Sequence, residues 1–342
     1  MDAPSNSVAY EVLCLQAADN GRGKVLFGDS LPRARSLVRP FVETEDFPSV
    51  YLEFPLVGEP SLDVTVLYGP KNPNAPIDSP AVAGTEDLRA WFVDACSGYD
   101  SVSWGYELDT SKEQLPAAAI HFQPRQNTEL VEPFFAAIGE PERAALYLDL
   151  AKRMPKGWPL SFFGLFRGRP NSPLRVCGYL SSKAIQRCLQ IPNRLQKVFE
   201  RVGFHAYDEA MIEQVLAVMD AAPSTLDFQF DVWPDGSIGD TFALDIQFGI
   251  EQPEAVRNAF TTGESSRIMP LLESWGIVDK RWRLGVDATF ALGVNVTSRD
   301  GRDDGMDRYS FTLMPQWAKV RWKNGVLQPS KLYLLGKAGY MD

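Results

Sequence analysis

Between residues 226 and 249, hydrophobic and polar positions alternate with a period of two in both halves of the segment. The apolar positions are Leu226, Phe228, Phe230, Val232, Phe242, Leu244, Ile246 and Phe248. The positions between them include Asp227, Gln229, Asp231, Asp245 and Gln247. Pro234-Asp235-Gly236 separates the halves and is typical of a turn, because proline fixes φ and glycine accepts a positive φ. The pattern predicts a β-hairpin with one apolar face and one unusually acidic face.

Four other segments carry the signature of paired strands, and helical patterns lie between them. We predict these pairs near residues 50–68, 102–124, 160–180 and 315–336. The last pair turns through Asn324-Gly325, the strongest short hairpin signal in the chain. Helical patterns occupy residues 85–99, 127–154, 182–221, 253–260 and 265–277. The first 40 residues predict a short helix or an ordered arm, and residues 281–296 are ambiguous.

Hairpin connections make the predicted strands antiparallel, and the intervening helices can cover only one side of the sheet. Roughly ten such strands are too many for a flat open sheet, and closure into a barrel removes the exposed edges. The sequence therefore predicts one α+β domain over residues 1–342, a barrel of antiparallel strands inside a ring of helices. Its polar faces would line a central lumen. An open, helix-backed sheet with the polar face in solvent is the alternative.

The net charge of the chain limits the classes of molecule that it can bind. The net charge of −10 argues against a surface for duplex nucleic acid, which needs a basic footprint. A local basic pocket for a small anion is still compatible with it. Four cysteines without a CxxC spacing predict free thiols in a reducing compartment. No segment has the length and apolar character of a membrane span or a secretion signal, so we expect a cytoplasmic protein without membrane attachment.

Five αββα units around a barrel of about ten strands resemble the ABBA prenyltransferases. Residues 117–135 and 160–180 are most similar to the cyanobactin-type peptide prenyltransferases, and residues 318–337 resemble the closing hairpin of the wider family. The resemblance implies transfer of a dimethylallyl or geranyl group from an allylic diphosphate. The acceptor would be a nucleophilic or aromatic side chain of a ribosomal peptide, or a small aromatic molecule.

The resemblance also implies roles for inward-facing residues. Glu53 would be the catalytic carboxylate, with Glu107 as second choice. The implied substrate-binding residues are Arg175, Tyr179, Lys331, Tyr333, His121, Gln247, Asp231, Asp245 and Lys319. The second strand, however, offers no inward Arg or Lys, and the fourth offers His121 and Gln123 where the family usually has a lysine. The basic cage is therefore thinner than the family pattern.

Three hypotheses follow from this thin cage and the acidic lumen. Mg²⁺ could bridge the diphosphate to Asp227, Asp231 or Asp245, because this ion prefers oxygen ligands and phosphate partners. The same acids could instead meet a cationic part of the acceptor, such as a guanidinium or an imidazole. Alternatively, the barrel has no transferase activity and binds a peptide or a hydrophobic ligand.

Overall fold

A closed antiparallel barrel forms the centre of the computed structural model, which describes residues 3–44, 46–69, 79–111, 116–168, 171–222, 225–297 and 306–340. The strands are β1 Ser49–Pro55, β2 Asp63–Tyr68, β3 Ser103–Asp109, β4 Ala119–Gln123, β5 Leu160–Phe166, β6 Leu174–Leu180, β7 Leu226–Val232, β8 Ile238–Gln247, β9 Phe290–Thr297, β10 Met306–Lys323, β11 Val326–Leu327 and β12 Lys331–Tyr340. Ten of them form the barrel in the order β10-β12-β1-β2-β3-β4-β5-β6-β7-β8, and β8 pairs with β10 to close it. The predicted barrel is confirmed, and the open-sheet alternative is wrong.

Helices surround the barrel, and they alternate with the strand pairs as predicted. They are α1 Asn6–Ala18, α2 Arg22–Phe27, α3 Ser30–Val42, α4 Glu86–Cys96, α5 Val131–Ala137, α6 Arg143–Arg153, α7 Ser182–Gln190, α8 Arg194–Val202, α9 Glu209–Ala221, α10 Val256–Thr261, α11 Ile268–Ser274 and α12 Arg281–Asp287. The N-terminal segment thus forms three helices rather than a short helix or an arm. The ambiguous residues 281–296 divide into α12 and most of β9. None of the described helices is long and apolar enough to cross a membrane.

The apolar face of the β7–β8 hairpin packs outward against helix α8 and the residues that follow it. The Phe199 ring lies 5.0 Å from that of Phe242, and the Phe204 ring lies 5.7 Å from that of Phe230. All four side chains are buried, and burying each contributes about 1.5–3 kcal/mol to folding. Because side chains alternate along a strand, this packing turns the acidic face of the hairpin into the lumen.

The closing hairpin is longer than predicted and contains an irregularity. Asn324 and Gly325 both have positive φ, as a two-residue hairpin turn requires. Strand β10 begins at Met306, however, and a β-bulge interrupts its pairing with β12 between Pro315 and Trp317. Before the bulge, β10 pairs with β9, and after it β10 pairs with β8. Strand β10 therefore belongs to the barrel wall after the bulge and forms an extension with β9 before it.

Candidate functional site

Two adjacent cavities that share lining residues lie in the lumen. The larger has a volume of about 480 Å³, within the usual range for a small-molecule site. We call it the large chamber; its lining includes Tyr51, Glu53, Glu107, His121, Arg125, Phe162, Arg175, Tyr179, Asp227, Gln229, Asp245, Gln247, Trp317, Lys319 and Tyr333. The small chamber has a volume of about 150 Å³; its lining includes Glu53, Asp63, Glu107, Asp109, Arg175, Asp231, Lys319, Arg321 and Lys331. A ligand spanning both chambers would pass Glu53, Arg175 and Lys319, which line both.

The structure brings all the sequence-predicted site residues to this lumen. Eight of them line the large chamber: Glu53, His121, Arg175, Tyr179, Asp245, Gln247, Lys319 and Tyr333. Asp231 and Lys331 line only the small chamber. The lining residues that the sequence reasoning did not single out include Asp63, Asp109 and Trp317. They were missed because the search followed basic residues on β2, β10 and β12, considered only Glu53 and Glu107 among the acids of β1 to β3, and gave no weight to an indole.

Lys331 is held between two carboxylates where β12, β1 and β2 adjoin. Its Nζ lies 2.5 Å from Glu53 Oε1 and 3.3 Å from Asp63 Oδ2. Burial and the charge of Glu53 raise the pKa of Asp63 to about 7, although Lys331 opposes the shift. Burial lowers the pKa of Lys331, but the charges of Glu53 and Asp63 outweigh it and raise that pKa above its ordinary value. Lys331 therefore neutralises protein carboxylates before any ligand enters.

Glu107 and His121 form a second pair in the large chamber. The imidazole Nε2 lies 3.0 Å from Glu107 Oε2. Burial raises the pKa of Glu107, but the hydrogen bond and charge of His121, with the charges of Arg175 and Lys319, outweigh it and lower the pKa well below its ordinary value. Gly164 on β5 is the register partner of His121, and a Cβ there would lie 3.1 Å from the imidazole Cε1. Glycine at this position leaves room for the ring.

Arg175 on β6 joins the two chambers. Its Nε lies 3.1 Å from Asp231 Oδ1 on β7, and the guanidinium carbon lies 4.5 Å from the centre of the Phe166 ring. The pairing follows from the register, which places Arg175 directly opposite Asp231. A guanidinium carries five N–H donors in a planar fork, so one contact through Nε leaves donors for an anion.

An aromatic wall lies beside Lys319 in the large chamber. The Trp317 ring lies 4.5 Å from that of Tyr51 and 5.1 Å from that of Tyr333. Lys319 Nζ lies 5.3 Å from the centre of the Tyr333 ring and 3.7 Å from Asp245 Oδ1. This part of the lumen combines a cation with aromatic faces that can stabilise a second positive charge.

Two aspartates stand directly opposite each other on the β7–β8 side of the lumen. Asp227 is the register partner of Asp245. Gln247 Nε2 donates to Asp227 Oδ2 at 3.0 Å, and Gln229 Nε2 donates to Asp245 Oδ2 at 2.5 Å. Burial and the charge of Asp245 raise the pKa of Asp227 to about 7. Burial also raises the pKa of Asp245.

The raised pKa of Asp227 predicts that Asp227→Asn changes the stability of the protein in a pH-dependent way. The folded chain holds the Asp227 proton more tightly than the unfolded chain, whose pKa is near 3.8. The corresponding stabilisation is present below pH 4 and is lost as the pH rises through 7. We therefore expect Asp227→Asn to be more stable than the parent by about 1–2 kcal/mol at pH 8, a figure discounted for the open chamber. The difference should shrink toward zero near pH 4.

Urea unfolding at pH 8, 6 and 4.5 measures this effect. Asp235→Asn on the exposed β7–β8 turn is the matched control, because hydrogen bonds from Ser237 lower the pKa of Asp235 instead of raising it. Removing that carboxylate should not stabilise the protein at pH 8. A parent protein at least as stable as Asp227→Asn at pH 8 would contradict the assignment.

A dedicated metal centre is not found among the residues that the structure describes. No three side chains of His, Cys, Asp or Glu in those ranges converge to hold an ion. The three aspartates considered for Mg²⁺ divide between two functions: Asp231 pairs with Arg175, whereas Asp227 and Asp245 contact glutamine amides. The residues present do not supply a ready-made Mg²⁺ site, and we assign no step to this ion.

Comparison with known proteins identifies the architecture. No protein-family model matches the chain, and no curated protein matches it in sequence. Solved structures do match. 5-Dimethylallyltryptophan synthase from Streptomyces coelicolor is 15% identical, with a TM-score of 0.52 over 98% of this chain and 97% of that chain. The apo form of the prenyltransferase PriB is 12% identical, with a TM-score of 0.54 over 98% and 96% of the two chains.

The fold is that of the ABBA prenyltransferases. A further structure, the 5-dimethylallyl tryptophan synthase in complex with DMASPP and Trp, matches with a TM-score of 0.51 at 13% identity, over 98% of this chain and 95% of that one. The ABBA architecture predicted from the alternation of hairpins and helices is thereby confirmed over nearly the whole chain. These matches establish the fold. They do not test the more specific similarity to the cyanobactin-type enzymes.

Proposed function

We propose that this protein transfers a prenyl group from an allylic diphosphate to an aromatic acceptor inside the barrel. The observation that carries the proposal is the arrangement in the large chamber, where an aromatic wall adjoins two cations in an enclosed lumen. The wall consists of Tyr51, Trp317 and Tyr333, and the cations are Arg175 and Lys319. Two structures of the same fold support it: one is described with DMASPP and Trp, and PriB with product diphosphate.

The reaction requires the carbon–oxygen bond of the allylic diphosphate to break, with its electron pair leaving on the diphosphate. Arg175 and Lys319 would bind the departing oxygens through charge-assisted hydrogen bonds, and the Tyr179 hydroxyl would add a neutral donor. The allylic carbon, which carries the developing positive charge, would lie against the aromatic wall. Each desolvated aromatic face is worth about 2 kcal/mol to such a cation. The wall would also exclude water, which would otherwise trap the cation.

The acceptor forms a bond to the allylic carbon and then loses a proton. We propose Glu53 as the proton acceptor, because it lies two residues from Tyr51 on β1 and is the register partner of Tyr333 on β12. Glu53 forms an ion pair with Lys331, and an alkylated aromatic ring is acidic enough to lose its proton to a paired carboxylate. Glu107, held by His121, is the second candidate in the same chamber. Glu53→Gln should therefore slow transfer more than Glu107→Gln.

The choice of acceptor belongs to this proposal. The sequence similarity of residues 117–135 and 160–180 to peptide prenyltransferases supports an aromatic or other nucleophilic side chain of a ribosomal peptide. The Trp in the related complex supports a small aromatic molecule. Any Mg²⁺ dependence would come from the diphosphate itself, because the described residues supply no ready-made site for the ion.

A non-catalytic binding barrel is the second candidate, and one observation favours it. Three of the five lumenal Lys and Arg side chains that the structure describes, Arg175, Lys319 and Lys331, already lie within 4 Å of a carboxylate. If these pairs stayed closed, a diphosphate would meet only the remaining two, Arg125 and Arg321. The barrel would then hold a peptide or a hydrophobic ligand without ionising it.

Calorimetry and mass spectrometry test the proposal. Dimethylallyl thiolodiphosphate, which resists ionisation, should bind, and its affinity should be measured with and without Mg²⁺. The protein should then be incubated with dimethylallyl or geranyl diphosphate and with tryptophan or short aromatic peptides. We expect binding of the analogue and a prenylated product. Absence of analogue binding under both metal conditions would overturn the transferase proposal in favour of the binding barrel.

A further inference from the structure

Several lumenal carboxylates lie within hydrogen-bond distance of a basic side chain, whereas the two on the β7–β8 side of the large chamber do not. Glu53, Glu107 and Asp231 lie within hydrogen-bond distance of Lys331, His121 and Arg175. Asp227 and Asp245 instead accept hydrogen bonds from the neutral amides of Gln247 and Gln229. The pair is therefore the part of the large chamber whose negative charge the protein compensates least.

The Asp227–Asp245 pair is also unfavourable for the stability of the fold. Like charges directly opposite each other on antiparallel strands destabilise a sheet, and Asp227 lies opposite Asp245. The Asp245 side chain is only 6% exposed, and its Oδ1 has no hydrogen-bond donor among the residues that the structure describes. Lys319 Nζ lies 3.7 Å from this oxygen, beyond hydrogen-bond distance. A buried carboxylate oxygen without a donor is a favourable place for a ligand N–H to bind.

The neighbours of the pair define what kind of ligand fits. Gln247, which holds Asp227, is the register partner of Trp317, and Asp245 is the register partner of Lys319. A diphosphate bound to Lys319 would therefore lie next to the carboxylate of Asp245 on this wall. A positive group on the acceptor would complete the alternation of charge, and its ring would meet Trp317.

We infer that Asp227 and Asp245 form a recognition site for an acceptor that carries a cationic nitrogen group, an ammonium or a guanidinium. The inference rests on the proposed function only in calling the ligand an acceptor. Recognition of a cationic group by these two aspartates does not require that the protein be an enzyme. It also separates Asp231 from the acids that the sequence suggested for this role, because Asp231 is engaged by Arg175.

Three probes on one ring system test the inference without any diphosphate. Tryptamine carries an ammonium, its N-guanidino derivative carries a guanidinium, and indole-3-propionate carries a carboxylate on a similar chain. We expect the cationic probes to bind roughly 10- to 100-fold more tightly than indole-3-propionate. The preference between the two cationic probes identifies the group. Equal binding of all three would overturn the inference, and so would tighter binding of the anion.

Asp245→Asn should weaken tryptamine binding roughly tenfold or more and leave indole-3-propionate nearly unchanged or slightly tighter. Asp109→Asn is the matched control, since it removes one carboxylate from the small chamber. An equal loss in Asp109→Asn would mean that tryptamine senses only the total charge of the lumen, and the inference would fail. Selective tryptamine binding without any prenyl transfer would keep this site and refute the proposed enzyme, so the two failures are distinguishable.

Discussion

Arg175→Ala is expected to lower kcat/KM for the allylic diphosphate by roughly 10²- to 10³-fold. Arg175 lines both chambers, and its side chain is fixed by Asp231 on one side and the Phe166 ring on the other. A donor held in place before the reaction stabilises the departing charge without reorganising during the step. Steady-state kinetics with varied diphosphate measures the loss, which should exceed the loss in analogue binding by calorimetry.

Two further variants separate this effect from damage to the fold. Arg175→Ala leaves the carboxylate of Asp231 partly buried without its cation, whereas the double variant with Asp231→Asn removes both charges. The double variant should regain stability and not activity. Asp231→Asn alone should retain activity and bind the thiolodiphosphate at least as tightly as the parent, because the asparagine carbonyl can still accept the hydrogen bond from Arg175 Nε while the competing negative charge is gone. If Arg175→Ala folds normally and keeps its kcat/KM, Arg175 does not bind the diphosphate.

Lys331→Met should reduce the free energy of unfolding by about 2–4 kcal/mol. The substitution keeps the apolar stem and removes the charge between Glu53 and Asp63. The Glu53 side chain is 5% exposed, so a carboxylate without its cation is left in a poorly hydrated place. The value is set below that of a fully buried pair because Lys331 itself is 34% exposed. Urea unfolding at pH 8 measures the loss.

A lysine on the same strand supplies the control, and Asp63 makes the effect of Lys331→Met depend on pH. Lys337→Met, on the exposed part of the same strand, should change stability by no more than about 0.5 kcal/mol. Below pH 6, Asp63 takes up a proton in the folded state, since its pKa is raised to about 7. The cost of Lys331→Met should therefore be smaller at pH 5.5 than at pH 8. A loss as small as that of Lys337→Met at pH 8 would show that the pair is not stabilising.

The fold could be predicted because its signal is local. The alternation of side chains in each hairpin and the 3.6-residue period of each helix are properties of short segments, and closure follows from the number of strands. Residues 281–296 resisted the same reasoning because they contain a seven-residue helix followed directly by a strand. The helix is too short to show its period, and the small residues Ala291 and Gly293 weaken the contrast between apolar and polar positions in β9.

The site was predictable only as a set of inward positions. Strand phase placed Arg175 and Asp231 in the lumen, but their contact depends on the register between β6 and β7. Lys331 and Glu53 are 278 residues apart, and only barrel closure brings them together. A search that follows basic residues passes over Trp317, although it shares the inward phase of Lys319. The β-bulge lets both Gln316 and Trp317 line the large chamber, so the usual alternation fails at that point.

The position of β10 and β12 in the barrel has a consequence for how the protein is made. These strands lie between β8 and β1, so residues 306–340 close the ring and carry Trp317, Lys319, Lys331 and Tyr333. Until this segment has left the ribosome, β1 and β8 are two open edges that can pair with strands of other chains. Contacts between residues so distant in sequence also form slowly. The lumen is therefore completed last in biosynthesis, and the nascent chain must stay soluble with its ring still open.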